Sequence, residues 1–211
     1  MTTTQNELME ATYVALCKHG YASLRMQDIA AESSKSKGTL HYHYDSKQEL
    51  LSAFLEYLYD SFAARIDALE ADGPDERLRA LIETVLSPRD GETEQEFRTA
   101  LLEIKAQGPY DDEFRVQLEA FDHLLHERLE STLLDGQERG VFRDDFDAES
   151  IADFLVTVLN GAQTRHVAVG HPPEQTRAQL LDYVDRHLVA TTDADAANGT
   201  NDANAAEERS P

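Results

Sequence analysis

From Gln5 to Leu188 apolar residues recur at three- and four-residue intervals, and no run alternates apolar with polar residues as a half-buried strand would. The pattern predicts an all-α fold. Leu8, Ala11, Ala15 and Leu16 make the first apolar stripe, and Gly20 stands where a left-handed C-terminal cap would end it. Ile29 and Ala30 mark a second short helix, and Leu40 and Tyr44, four residues apart, mark the inner face of a third. A longer helix opens at Asp45-Ser46-Lys47-Gln48-Glu49, with Ser46 as cap and Glu49 in capping-box register. It carries Leu50, Phe54, Leu58 and Phe62 towards Leu69, and Gly73-Pro74 is its expected stop.

Further helices are predicted over 76–86, 96–106 and 111–134, separated by Pro88 to Gly91 and by Gly108-Pro109. Residues 148–169 present a broad apolar face (Ile151, Phe154, Leu155, Val158, Leu159, Ala162), and residues 173–189 carry Leu180, Leu181, Val184 and Leu188. The segment 191–211 is rich in Ala, Asn and Asp, so it cannot offset the entropy of ordering and reads as a disordered acidic tail. The chain then divides into a head, 1–47, a helical body, 48–190, and the tail.

Charge refines this division. The formal net charge is −22, which argues against nucleic acid because duplex phosphates repel an acidic surface. Residues 1–50, however, carry five cations (Lys18, Arg25, Lys35, Lys37, Lys47) against six acids, a net of −1, and the remaining residues carry −21. Four of the five lysines precede position 48, and only Lys105 lies beyond. A near-neutral head on a strongly acidic body is the part kept compatible with phosphate. An acidic surface with scarce lysine also points to a salt-accumulating microbe.

Other totals exclude more than they assign. No stretch approaches the ~18 uncharged apolar residues of a membrane span, and the start MTTTQNELME lacks a basic region followed by an apolar one. A cytoplasmic protein with no membrane partner is expected. Cys17 is the single cysteine and reads as a small buried apolar residue. No nucleophile elbow, phosphate loop or acid pair stands at a meaningful spacing, so neither an enzyme nor a cofactor is expected. His123 and His126 flank each other with Asp122 and Glu127 adjacent, but no third ligand follows from spacing, so no metal site is assigned.

The segment Gln27 to Glu32, a short polar turn, and Ser36-Lys37-Gly38-Thr39-Leu40-His41-Tyr42-His43-Tyr44 have the layout of two short helices joined tightly, which offers the second to a DNA major groove. Lys37 is a flexible point charge for a phosphate or a guanine edge, Gly38 lets backbone approach bases closely, and Thr39 offers a hydroxyl and a methyl. His41, Tyr42 and His43 crowd three polar rings into one turn, and all three cannot face inward. Lys47 follows at a helix start, where its ammonium and nearby amides can hold phosphate.

With Leu8 to Tyr21 before it and Ser46 to Leu51 after it, this segment resembles the head of the TetR family of regulators over roughly residues 5–60. The resemblance implies a sequence-specific, DNA-binding transcriptional regulator, acting as a homodimer on a double-stranded operator. The expected form is a ligand-responsive repressor. His41, Tyr42, His43 and Lys47 stand at positions that commonly hold phosphates, with Lys37, Gly38 and Thr39 nearer the bases, and Ser36 joins the DNA-binding set. Arg25 stands where the family often has a capping Ser or Thr, and is free to reach a phosphate instead. Ser34 and Lys35 replace a usual Gly and small apolar residue in the turn.

The resemblance also implies that the body encloses a pocket for a small lipophilic inducer, for which Tyr57, Phe97, Leu101, Phe114, Phe121 and Asn160 are the candidate lining; Asn160 is a polar residue in an apolar helix and needs partners. The last two helices are the expected dimer surface, through Phe154, Leu155, Val158, Ala162, Leu180, Leu181 and Val184. The alternatives are a regulator without an inducer, acting as activator or repressor, and an all-helical metal-binding or interaction protein that ignores DNA.

Overall fold

The computed structural model describes residues 3–87 and 94–190, which form nine α-helices: α1 (Thr3–Ser23), α2 (Met26–Glu32), α3 (Lys37–His43), α4 (Lys47–Asp67), α5 (Pro74–Leu86), α6 (Glu94–Lys105), α7 (Asp112–Glu138), α8 (Ala148–Val169) and α9 (Pro173–Tyr183). A 3₁₀ turn, Gly108–Tyr110, precedes α7, and a π turn, Val184–Leu188, follows α9. The expected tail, 191–211, and the expected break at Pro88 to Gly91 lie outside the described residues.

Two hydrophobic cores organise these helices. The first joins Leu8, Leu16, Ile29, Leu40 and Tyr44 of the head to Leu50, Phe54 and Leu58 of α4, and also takes in Phe97, Ala100 and Ile104 of α6 and Phe114 of α7. The second is built from Ile66, the inner faces of α5 and α8, the C-terminal half of α7, and Leu180, Val184 and Leu188. The two cores divide within α4, between Leu58 and Ile66. The head shares its core with α6, which packs along α1.

Capping explains several helix boundaries. Ser36 accepts from Thr39 N–H at 3.1 Å, Ser46 from Glu49 N–H at 3.1 Å, and Asp111 from the N–H groups of Glu113 and Phe114 at 3.0 and 3.1 Å. Asp147 starts α8 in the same way, and Gly170 ends it in the left-handed conformation, φ 67° and ψ 23°. Gly73-Pro74 starts α5 instead of stopping α4, because proline fits the first helical turn, where its missing N–H has no partner to lose. The end of α4 is closed by Arg77, whose guanidinium donates to the carbonyls of Leu69 at 2.6 Å and Ile66 at 3.1 Å.

Two backbone features have no periodic signature. Phe142 is buried directly over Gly136 of α7, so closely that a Cβ there would lie 2.0 Å from the ring. The last predicted helix ends early, at Tyr183. The π turn after it carries Val189 N–H to Val184 O at 3.1 Å and lets Val189 pair with Phe142 in an antiparallel bridge, flanked by Arg143 N–H to Leu188 O at 2.8 Å.

Candidate nucleic-acid interface and ligand cavity

The amphipathic division of α3 is complete. Leu40 is fully buried and Tyr44 is 6% exposed in the first core, whereas Tyr42 is 85% exposed. Lys37, Gly38 and His41 are exposed, while Thr39 and His43 are half-buried. The Tyr42 and His43 rings meet edge to face at 5.3 Å, which makes one polar aromatic surface. The hydroxyls of Ser36 and Thr39 lie 3.0 Å apart at the helix start, next to the exposed Lys37.

Gly38 is exposed, and an added Cβ would make only an ordinary contact of 3.5 Å with Ser36 Oγ. Nothing within the protomer needs a glycine there, although glycine inside a helix costs roughly 0.5–1 kcal/mol relative to alanine.

The unusual cap and turn are stabilised by residues outside the motif. Arg25 stands at the N-cap of α2 with no acceptor on its side chain. Asp28, rather than Ser23, supplies the cap bond, its carboxylate accepting from Arg25 N–H at 2.9 Å. Glu7 of α1 reaches the turn between α2 and α3, accepts from the Ser34 N–H at 3.0 Å and from the Ser34 hydroxyl, and pairs with Lys35 Nζ at 3.0 Å. The Ser34 hydroxyl bond, then the Lys35 side chain, hold the Glu7 carboxyl below its ordinary value. Ser34 and Lys35 thus replace local turn geometry with a tether to α1.

Most head cations are already engaged. Lys18 pairs with Glu32 at 2.7 Å, and Lys35 with Glu7. Lys47 donates to Tyr21 O at 3.0 Å and lies 4.6 Å from the centre of the Tyr21 ring; its burial lowers its pKa. Among the described residues, Arg25 and Lys37 are the cations of residues 1–50 whose charged groups meet no internal partner, and both are exposed. Tyr21 itself is clasped from the body, its N–H donating to Glu103 Oε2 of α6 at 2.6 Å. Gly20 makes this clasp possible: its φ of 67° is positive as expected, but its ψ of 167° belongs to an extended, glycine-only region rather than a left-handed cap.

In the body, α4, α5, α6, α7 and α8 surround a cavity of about 440 Å³. Phe97, Leu101, Phe121 and Asn160 line it, as expected; Tyr57 and Phe114 do not. Phe114 is 1% exposed inside the first core, and Tyr57 stacks on Phe54 at 6.4 Å, so both serve head packing instead. Periodicity missed Arg65, Arg98 and Lys105, which also line the cavity; the isolation of Lys105 in the lysine count was the available signal. Lys105 Nζ lies 3.5 Å from Asn160 Oδ1, and Asn160 Nδ2 donates to Asp122 Oδ1 at 3.1 Å.

The expected dimer set divides. Leu155, Ala162, Leu180 and Val184 are buried in the second core and cannot face a partner, because their surface is already used inside the protomer. Phe154 is 42% exposed and packs on the Tyr183 ring at 5.4 Å, while Val158 and Leu181 are half-buried. His123 and His126 pair with Glu127 at 3.2 Å and Glu130 at 3.9 Å, and among the described residues no group of three or more His, Cys, Asp or Glu is arranged to hold a metal. The ring of His166 meets the carbonyl of His171, beyond the end of α8, at 3.2 Å.

Sequence comparison agrees with this geometry at both ends of the chain. Residues 8–54 match the family model described as bacterial regulatory proteins, tetR family, and residues 74–189, more than half of the chain, match the BetI-type transcriptional repressor C-terminal model. The chain belongs to the TetR family. It is a DNA-binding transcriptional regulator. Among solved structures, a TetR transcription regulator from Haloarcula marismortui is 37% identical with a TM-score of 0.80, covering 87% of this chain and 97% of that one. Among curated relatives, the HTH-type transcriptional regulator BetI of Rhizobium meliloti is 30% identical over 192 residues, 88% of this chain and 90% of the relative. The HTH-type transcriptional repressor AcnR of Corynebacterium glutamicum is 26% identical over 184 residues, 87% and 92% respectively. No helix among the described residues of this TetR-family regulator is long and apolar enough to cross a membrane.

Proposed function

We propose that the protein is a dimeric, ligand-responsive repressor that reads its operator through the exposed face of α3. Lys37, Gly38 and Thr39 meet base edges; Arg25, His41, Tyr42, His43 and Lys47 hold phosphates; Ser36 orders the helix start. The observation that carries this reading is the outward set on α3, with Tyr42 at 85% exposure beside the exposed Lys37, on a helix anchored from its other side by the fully buried Leu40. Lys47 would reach phosphate with a remaining donor while its bond to Tyr21 O holds it in place, since an ammonium has three donors.

Dimerisation places two such helices about 34 Å apart on successive major-groove faces. Phe154, Val158 and Leu181, exposed or half-buried along α8 and α9, are the members of the expected set that remain available to a partner. The cavity favours the ligand-responsive reading over a regulator without an inducer. The acidic composition supports function in high salt, where hydrogen bonds and shape must supply affinity that counterion release cannot.

The test is a gel-shift assay with genomic fragments selected by the purified protein. Lys37→Ala and Tyr42→Ala each lose retention of the selected fragment while remaining folded dimers by light scattering. Unchanged retention by both variants overturns the assignment.

A further inference from the structure

The chain carries 41 acidic against 19 basic side chains, yet the body cavity reverses the ratio: among the described residues its lining holds three cations, Arg65, Arg98 and Lys105, and one acid, Asp122. The rest of the wall is largely apolar, from Leu58, Phe62, Leu101, Leu118, Phe121 and Leu125. Such a site receives an apolar body and orients it through a few convergent polar groups.

Lys105 is weakly compensated. Its ammonium has three donors, and among the described residues its one hydrogen bond is the long contact to Asn160 Oδ1 at 3.5 Å. No ion pair reaches it there. Asp122 acts on it only through space, is itself exposed, and spends Oδ1 on Asn160 Nδ2. Desolvation outweighs Asp122 and lowers the Lys105 pKa. A partly buried cation with unspent donors is relieved by an acceptor of opposite charge, and such charge-assisted bonds are the strong ones. A cationic ligand would meet the like charge of Lys105 instead.

We propose that the cavity binds an amphipathic organic anion, an apolar acyl or aryl body ending in one carboxylate that pairs with Lys105 and is oriented by Asn160. This rests on the ligand-responsive reading above and narrows its ligand class.

The test uses the full-length protein and three probes of one chain length: decanoate, decanol and decyltrimethylammonium. Calorimetry measures binding to wild type, Lys105→Met and Lys105→Arg, and the gel shift measures release of the selected DNA. Decanoate is expected to bind wild type roughly tenfold to a hundredfold more tightly than decanol, the range for a hydrogen bond to a charged group, and to release DNA. Lys105→Met loses that advantage and binds decanol as before, and Lys105→Arg keeps much of it. Equal binding of decanoate by wild type and a folded Lys105→Met overturns the proposal. Preferential binding of decanol or decyltrimethylammonium with release of DNA overturns the anion while leaving ligand response standing. Binding of none of the three overturns both. The probe series on wild type decides the question even where Lys105→Met fails to fold.

Discussion

The Glu103 carboxylate accepts a hydrogen bond from the Tyr21 backbone N–H at 2.6 Å, bridging α6 of the body to the end of α1 in the head. The same peptide segment offers Tyr21 O to Lys47 at 3.0 Å, so a helix that lines the cavity and a lysine proposed to hold phosphate meet at one residue. Lys105 lies two residues beyond Glu103 on that helix. On the ligand-responsive reading proposed above, a displacement of α6 would reach the head through this contact.

Glu103→Ala deletes the acceptor at this junction. It is expected to lower stability by about 1 kcal/mol, to speed hydrogen exchange at the Tyr21 amide, and to weaken operator binding through loss of the ordered Tyr21 carbonyl. Urea unfolding, amide exchange and gel shift read the three effects.

Gly38→Ala separates stability from function. Since an added Cβ meets only Ser36 Oγ at 3.5 Å, the variant is expected to be more stable by about 0.5–1 kcal/mol. Its operator affinity nevertheless falls, because the methyl keeps the helix from the bases. Thermal melts and gel shifts on the same preparation check the pair of signs.

Glu7 gives the head a pH dependence of definite sign. Its folded pKa is depressed below the ordinary 4.5 by the Ser34 and Lys35 contacts, so its contribution is present above that value and lost as pH falls through the folded one. Stability measured by urea midpoint from neutral to acid pH falls less steeply below about 4.5 in Glu7→Gln than in wild type. Coincident curves would show that the tether to the α2–α3 turn has no energetic weight.

Gly136→Ala puts a methyl where the Phe142 ring already sits, 2.0 Å from its Cδ2. Overpacking of this kind is expected to cost about 1–3 kcal/mol. A lowered melting temperature with unchanged operator affinity per folded molecule is the expected outcome.

The net charge of −22 makes self-repulsion a general destabilising term. Raising KCl from 0.05 to 1 M shortens the Debye length from more than ~10 Å to about 3 Å, so the melting temperature is expected to rise steeply over that range. A flat or falling melting curve against KCl overturns this account of the acidic surface.

Local chemistry by itself determined the helices and the polarity of α3. Apolar spacing and caps at Ser36, Ser46 and Asp111 act within a few residues of chain, so Leu40 and Tyr44 could be assigned inward from order alone, and the three rings between them could not all follow. Tertiary structure decided what depends on residues distant in sequence. Glu7 repairs a turn 27 residues away, Glu103 clasps Tyr21 across 82, and Phe142 needs the bare backbone of Gly136. It also moved Tyr57 and Phe114 from cavity to core, and Leu155, Ala162, Leu180 and Val184 from partner surface to interior. Periodicity tells that a side chain is buried; which neighbour buries it is fixed only when the helices pack.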